Sequence, residues 1–295
     1  MTNGNPPITK MGAEQILKAI DQREQAKHSA RDLFASFPLQ PAMPSYKPFE
    51  SGEWRLESKD GEKSLAKDYF GIPVSSPTRA LKKISGSDTG LWMSITAMEL
   101  QSHTIHINSL VNIAEKKWRE EGEPARIVIG GLGMGMYLVN CLHYLYERQI
   151  PANIHVIELS KDVPTILANS LEGYCHDLFT YSMEGYFSQE VDIIVGNILE
   201  IEPIEDVDYM YVDIWQDLAS EKALPNSRQL VEKWKPKKYG YWCEEFDVAI
   251  NGNQIAEELN LAQNYDDEKI VEACEVIFEA NAEIPIAAVK AKKQI

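Results

Sequence analysis

Four glycines within six residues mark the stretch of this sequence that is best suited to hold a ligand. The segment RIVIGGLGMGMYLVN, residues 126–140, joins an apolar strand-like run to an apolar helix-like run through GGLGMG. Glycine permits positive φ angles and lets a ligand approach the backbone closely. The helix that follows would offer unpaired N–H groups to an anionic or polar ligand. The turn is therefore predicted to cradle a nucleotide-like cofactor; the alternative is a packing turn that holds no ligand.

An acidic residue stands where the next strand-like run ends. Glu158 closes NIHVIE, 27 residues after Gly131, and its carboxylate can accept both hydrogen bonds of a ribose diol. That interaction suits NAD and S-adenosylmethionine equally. The glycines are spaced GxGxG, at Gly131, Gly133 and Gly135, and Met136 stands where the dinucleotide pattern requires a small residue. The spacing thus favours S-adenosylmethionine.

Alternating strands and helices must position these residues. The sequence predicts strands at 126–130, 153–158, 191–197, 208–215 and 239–246, with helices at 134–146, 161–171 and 224–234 between them. The strands are apolar on both faces, as in a parallel sheet covered by helices on each side. We therefore expect an α/β fold with a Rossmann-like, doubly wound, mostly parallel sheet, whose ligand-facing loops lie at its carboxyl edge.

The chain divides at a turn-rich SGSDTG segment, residues 85–90. Residues 1–90 are predicted to form a helical or irregular extension, with a helix at about 12–33, that could act as a lid. Residues 91–295 are predicted to form the cofactor-binding catalytic domain, which opens with a helix at about 96–119. C-terminal helices are expected at 254–263 and 266–282, and IPIAAVKA could add an edge strand.

Four motifs occur in order and at fitting distances: IVIGGLGMG, VIELSKDV, IIVGNILEI and DYMYVDIW. Together they resemble the core of the class I S-adenosylmethionine-dependent methyltransferase superfamily, and most closely its spermidine-synthase-like branch. The resemblance covers about residues 90–250. Gly130 stands where many methyltransferases place an acidic residue, and that branch also lacks the acid there.

The resemblance implies roles for individual residues. Gly131, Gly133 and Gly135 would lie under the methionine portion of S-adenosylmethionine, and Glu158 would bind its ribose. Asn197 falls where the family usually has an acid that meets the adenine amino group, and an amide oxygen can accept the same bond. Ile198 would flank the adenine. Asp213 would lie at the end of the fourth strand, next to the transferred group.

The acceptor side departs from the family pattern. Spermidine synthases carry an aspartate pair like DSSDP at this strand end, whereas this chain has DIWQD, with Asp213 and Asp217 four residues apart. The N-terminal region shows no clear β-hairpin domain of the aminopropyltransferase kind. The segment LWMSITAMELQSH resembles the stretch before the core in this branch, with Glu99 as a substrate-facing acid. Trp215 either lines the pocket or packs in the core.

These features predict a transferase acting on a small neutral or cationic acceptor, with Asp213 as the catalytic residue. Glu99, Trp215 and Asp217 are the candidate acceptor-binding residues. Methyl transfer is favoured over aminopropyl transfer. A non-catalytic binding module and, more distantly, a nicotinamide dehydrogenase are the alternatives from other classes.

Charge and composition limit the classes of partner that we expect for this protein. The 295 residues carry a net charge of −16, which repels polyanions, so nucleic acid is not expected as a partner. We expect no membrane span, and the four cysteines form no CxxC pair, which indicates reduced thiols and a cytoplasmic location. A homodimer is left open. No metal is expected, since His103 and His106 are read as helix-surface residues; Glu244, Glu245 and Asp247 are read as solvated.

Overall fold

A computed structural model describes residues 39–59, 78–216, 220–262 and 268–281, together with scattered positions between residues 17 and 32. Those scattered positions are helical, in agreement with the helix predicted at about 12–33. The segment IPIAAVKA and Asp217 lie outside the described residues. Within the described part of the chain, no helix combines the length and the apolar character needed to cross a membrane.

An antiparallel sheet of four strands precedes the main domain. Its strands are β1 (Phe49–Ser51), β2 (Trp54–Lys59), β3 (Thr78–Lys83) and β4 (Gly90–Ser94), and they pair in that order. The prediction of a helical or irregular extension is wrong for this segment. β2 alternates buried Trp54 and Leu56 with charged residues, the period-two pattern of a strand with one buried face. The predicted boundary at residue 90 falls at the first residue of β4.

Five parallel strands form the central sheet and confirm the predicted fold class. They are β5 (Ala125–Gly130), β6 (Ala152–Glu158), β7 (Gln189–Val195), β8 (Tyr209–Val212) and β9 (Tyr239–Tyr241), in the spatial order β7-β6-β5-β8-β9. The chain runs outward from β5 to β7 and then returns to place β8 on the other side of β5. This reversal opens a crevice at the carboxyl ends of β5 and β8, where ligands bind in doubly wound sheets.

Eight described helices surround the two sheets. They are α1 (Ala97–Glu121), α2 (Met136–Glu147), α3 (Asp162–Ser170), α4 (Gly173–Met183), α5 (Ala223–Trp234), α6 (Glu244–Asn251), α7 (Gln254–Glu258) and α8 (Glu268–Asn281). The sequence did not predict α4. It also extended the last strand too far, because Cys243, at φ 63°, turns the chain into α6 just after β9.

Two further surface assignments are wrong. Glu244 and Glu245 are fully buried in the first turn of α6 instead of being solvated. His103 and His106 are buried on the face of α1 that meets the sheet, where the His106 ring lies 4.8 Å from that of Tyr211. Burial lowers the pKa of His103 to about 4 and that of His106 to about 3. Both histidines are therefore neutral parts of the core at pH 7.

Candidate cofactor and acceptor site

The glycine turn joins β5 to α2 and is shaped by close backbone packing. Gly131, Gly133 and Gly135 have φ angles of 90°, 52° and 72°, in the left-handed region that favours glycine. A Cβ on Gly131 would lie 2.0 Å from the carbonyl oxygen of Asp213. The glycines are thus required by the fold, whether or not a ligand is bound. α2 begins after Gly135 without a side-chain cap, and Gly135 does not line the cavity described below.

Glu158 ends β6 beside this turn. One carboxylate oxygen accepts the N–H of Leu132 at 2.9 Å, and the other accepts the N–H of Ser160 at 2.8 Å. Only 8% of the residue is exposed, and burial raises the pKa of its carboxyl against the opposing effect of these bonds. The backbone N–H groups of Gly133 and Leu159 also oppose the rise in its pKa. The surrounding loops therefore hold the carboxylate in a fixed position beside the glycine turn.

Asn197 and Ile198 follow β7 on the next loop. The Asn197 side-chain oxygen accepts the N–H of Leu199 at 3.1 Å, and its amide nitrogen donates to Glu200 at 2.9 Å. The side chain therefore caps its own turn and keeps one acceptor position for a ligand. Ile198 is buried, and its methyl group would clash with any side chain at Gly130. Both residues line the same cavity as Glu158.

Asp213 follows β8, across the crevice from Glu158. Its N–H donates to the carbonyl of Gly130 at 2.8 Å, which ties it to the end of β5. Burial, and then the charge of Glu158, raise the pKa of Asp213 to about 7. A carboxyl group that titrates near neutral pH is suited to accept a proton from a substrate.

Glu99 reaches the same region from the first turn of α1. Thr96 caps that helix by accepting the Glu99 N–H at 3.1 Å. One oxygen of the Glu99 carboxyl, Oε2, is buried and has no hydrogen-bond partner within the described part of the chain. Burial, and then the charge of Asp213, raise its pKa to about 8. Glu99 and Asp213 thus lie within range of each other's charge, although 114 positions separate them in the sequence, but Glu99 does not line the cavity described next.

A cavity of about 250 Å³ joins most of the predicted residues. Gly131, Gly133, Glu158, Asn197, Ile198, Asp213 and Trp215 all line it. Trp215 is 8% exposed, and its indole N–H has no partner among the described residues. Sequence reasoning did not assign Trp92, Met93, Leu159, Lys222 or Asn226, which also line the cavity. Trp92 and Met93 lie within the LWMS stretch that the sequence comparison with the family had singled out.

Contacts from β4 and from the segment before β1 hold the small sheet against the glycine turn. The sulfur of Met93, on β4, lies 3.4 Å from the N–H of Met134, and the Tyr46 hydroxyl donates to the Met134 carbonyl at 2.6 Å. On the other side, the Gln216 side chain donates to the carbonyl of Leu91 at 2.6 Å. These contacts make β4 one wall of the cavity.

Comparison with known proteins gives structural likenesses alone. No family model matches the sequence, and no curated protein matches it. MNMC2 from Aquifex aeolicus is 15% identical over 91% of this chain and 97% of its own, with a TM-score of 0.43. The plantazolicin methyltransferase BpumL, in complex with SAH, is 10% identical over 65% of this chain and 64% of its own, with a TM-score of 0.30.

A putative S-adenosyl-L-methionine-dependent methyltransferase from Methanococcus maripaludis is 17% identical over 55% of this chain and 66% of its own, with a TM-score of 0.28. TM-scores this low carry no argument about function, which must therefore come from the site.

Proposed function

We propose that this protein is an S-adenosylmethionine-dependent transferase that acts on a small neutral or cationic acceptor, with methyl transfer favoured. The observation that carries the proposal is the meeting of the glycine turn, Glu158 and Asp213 at one cavity of the central sheet. This cavity lies at the crevice where the strand order reverses. We also place the protein in the cytoplasm, without nucleic acid as a partner, and treat residues 1–90 as a lid for the catalytic domain at 91–295.

The residues present fit this cofactor. Glu158 would accept the hydroxyl groups of its ribose, and Asn197 would accept a hydrogen bond from the adenine amino group, with Ile198 beside the ring. The turn at Gly131, Gly133 and Gly135 would lie under the methionine portion.

When bound, S-adenosylmethionine supplies a methyl group on a sulfonium sulfur, and that carbon–sulfur bond breaks as the acceptor attacks. The role of the protein is to align the acceptor and to exclude water. Asp213 would orient the acceptor's N–H or O–H group and accept its proton. Trp215, Glu99 and Asp217 would contact the acceptor; Trp215 and Glu99 are described, and Asp217 lies outside the described residues.

Aminopropyl transfer, as in the spermidine-synthase-like branch, is the second candidate. The antiparallel sheet before the main domain favours it, because that region of aminopropyltransferases also contains β-hairpins. A non-catalytic binding module is the third. All three share the same cofactor site and differ in the products formed.

Calorimetry tests the cofactor. We expect the protein to bind S-adenosylmethionine or S-adenosylhomocysteine at micromolar concentrations and not to bind NAD. Glu158→Ala should weaken that binding, by roughly 1.5–3 kcal/mol for each charge-assisted bond lost. The exposed Glu190 on β7 offers a matched control, Glu190→Ala, which should leave the affinity unchanged. Tight NAD binding with no response to S-adenosylmethionine would refute the proposal.

Mass spectrometry separates the candidate reactions. The protein is incubated with S-adenosylmethionine and a metabolite extract. A gain of one methyl unit in a product indicates methyl transfer, and release of methylthioadenosine indicates aminopropyl transfer. Asp213→Asn should keep cofactor binding but lower turnover by roughly 10²-fold or more, as expected when a general base is lost. Wild-type turnover in that variant would show that Asp213 is not the base.

A further inference from the structure

A methionine side chain from the small sheet packs directly against the glycine turn. A Cβ built on Gly133 would lie 2.9 Å from both Sδ and Cε of Met93, so these two atoms fill the space that a side chain at Gly133 would need. Met93 lies on β4 and is partly buried against the core. Met93 and Gly133 both line the cavity of the candidate site. Part of the space at the turn is therefore occupied by the protein itself.

The Met93 sulfur also accepts a hydrogen bond from the turn. The Met134 N–H donates to it at 3.4 Å, and the described residues supply no other acceptor for that N–H. A thioether sulfur is a weak acceptor, whereas a carboxylate forms charge-assisted hydrogen bonds that are about twice as strong as neutral ones. A ligand carboxylate that reaches the Met134 N–H would therefore replace the sulfur there.

A β-bulge in β4 directs this side chain into the cavity. On β3, Leu81 pairs with Met93, and the next residue along β3 pairs with Leu91. Trp92 is thus left without a partner on that strand. Consecutive residues of a regular strand point to opposite faces, yet Trp92 and Met93 both line the cavity. Bulges re-aim side chains in this way and are common beside functional sites.

The cavity as it stands is smaller than most pockets that hold a small-molecule ligand. Its volume is about 250 Å³, whereas such pockets measure roughly 300–1,000 Å³. Methionine can make room, because its side chain is unbranched and rotates about three bonds. Trp92 is more restrained, since its ring packs edge-on against that of Trp54 with 5.5 Å between the centroids. Of the two bulge residues, Met93 is therefore the one that can move.

We propose that Met93 occupies the subsite for the amino-acid end of the cofactor and must leave it when the cofactor binds. This inference rests on the proposed function, in which the glycine turn lies under the methionine portion of S-adenosylmethionine. The thioether chain of Met93 has the chemistry of that portion. Its departure frees the Met134 N–H to donate to the cofactor's carboxylate. Met93 thus lowers the affinity for ligands that carry an amino-acid end and leaves the affinity for other ligands unchanged.

Two ligands test the inference by calorimetry. S-adenosylhomocysteine carries the amino-acid end, whereas methylthioadenosine has the same adenine and ribose but ends at a methyl group on sulfur. Met93→Ala removes the competing side chain, so S-adenosylhomocysteine should bind about tenfold more tightly than to the wild type. That factor is expected if the wild-type subsite is free in about one molecule in ten. Methylthioadenosine should bind to Met93→Ala and to the wild type with the same affinity.

Leu91→Ala is the matched control. Leu91 lies on the same strand, but its side chain is exposed and does not line the cavity. Both ligands should bind to this variant as they bind to the wild type.

NMR of isotope-labelled methionine methyl groups follows the displacement directly. The Met93 resonance is the one that disappears in Met93→Ala. S-adenosylhomocysteine should shift it in the wild type, and methylthioadenosine should leave it nearly in place. The inference is overturned by equal affinity changes for both ligands in Met93→Ala, by unchanged or weaker S-adenosylhomocysteine binding in that variant, or by a Met93 resonance that S-adenosylhomocysteine does not move. If neither ligand binds to the wild type, the proposed function is overturned instead.

Discussion

Gly131 shows how closely the ends of β5 and β8 pack at the proposed cofactor site. Its φ of 90° and the 2.0 Å approach to the Asp213 carbonyl leave no room for a side chain. We predict that Gly131→Ala destabilises the protein by roughly 2–5 kcal/mol, the sum of left-handed strain and overpacking. It should also abolish binding of S-adenosylhomocysteine, because the ends of β5 and β8 must separate. Urea unfolding and calorimetry measure the two effects.

Gly122→Ala is the matched control for that prediction. Gly122 ends α1 at φ 72°, but nothing lies within 4 Å of a Cβ placed there. Only the strain remains, so we expect a loss of about 1–2 kcal/mol and normal ligand binding. If the two variants lose the same stability, the close approach of Gly131 to Asp213 is not what restricts the position.

Asn197 gives a second prediction, which separates a role in binding the adenine from a role in capping its own turn. Asn197→Asp keeps the acceptor for the Leu199 N–H and for an adenine amino group, so S-adenosylmethionine affinity should be retained. Asn197→Leu removes the acceptor and should weaken binding and lower stability by about 1 kcal/mol. Equal affinity in all three proteins, measured by calorimetry, would place Asn197 away from the adenine.

The sequence predicted some of the residues that line the cavity but not others, for a clear physical reason. Glu158 and Asp213 end apolar strands, and parallel strands bring their carboxyl ends to one edge, so strand assignment alone brings the two residues together. Lys222 and Asn226 line the cavity at the start of α5, and neither their residue types nor their spacing indicates that position. Glu99 could be named from resemblance alone, because its position relative to Asp213 depends on how α1 packs.

At the scale of elements, the long periodic segments were predictable and the short ones were not. The sequence predicted 96–119 for α1, which spans 97–121, because its apolar residues recur at helical spacing over many turns. The small sheet was missed because three-residue β1 and charged β2 and β3 give little apolar signal. The strand predicted through residue 246 ended at 241, since Cys243 adopts a left-handed conformation that its residue type does not signal.

The segment before the small sheet is an element whose contacts reach the glycine turn. Residues 40–47 run along α2 and α3, and the buried Tyr46 hydroxyl donates to the Met134 carbonyl at 2.6 Å. We predict that Tyr46→Phe lowers the free energy of unfolding by about 1–3 kcal/mol, because the carbonyl is left buried without that donor. Affinity for S-adenosylhomocysteine should fall as well, since Met134 belongs to the glycine turn.

Tyr144→Phe provides the comparison for Tyr46→Phe. The Tyr144 hydroxyl bonds the same segment at Gln40, but at an exposed site on α2 away from the turn. We expect a loss of about 1 kcal/mol or less and unchanged ligand affinity. If Tyr46→Phe binds S-adenosylhomocysteine as tightly as Tyr144→Phe does, the segment supports the fold without ordering the glycine turn.

At the scale of the whole molecule, buried carboxyl groups set the response to pH. Glu99 and Glu245 have pKa values of about 8 and Asp213 of about 7, each because burial disfavours the charged form. Since the folded state holds these protons more tightly than the unfolded chain, stability falls as pH rises toward the folded pKa. The pKa values of His103 and His106 lie below their ordinary 6.5. These histidines make stability rise with pH, but only below about pH 6.5, where the unfolded chain still binds their protons.

We therefore predict that the free energy of unfolding decreases between about pH 6.5 and about pH 8.5, where the histidines no longer contribute.

Glu245 provides the sharpest test, because it is fully buried and lies outside the cavity. Both of its carboxyl oxygens lack a partner within the described part of the chain. Asp247 adds to its raised pKa, and the neighbouring Cys274 thiol has its own pKa raised well above the ordinary value. Glu245→Gln should flatten the pH dependence in urea unfolding, while Glu190→Gln, at an exposed position, should retain it. The same slope in Glu245→Gln and the wild type would mean that Glu245 is ionised in the folded protein.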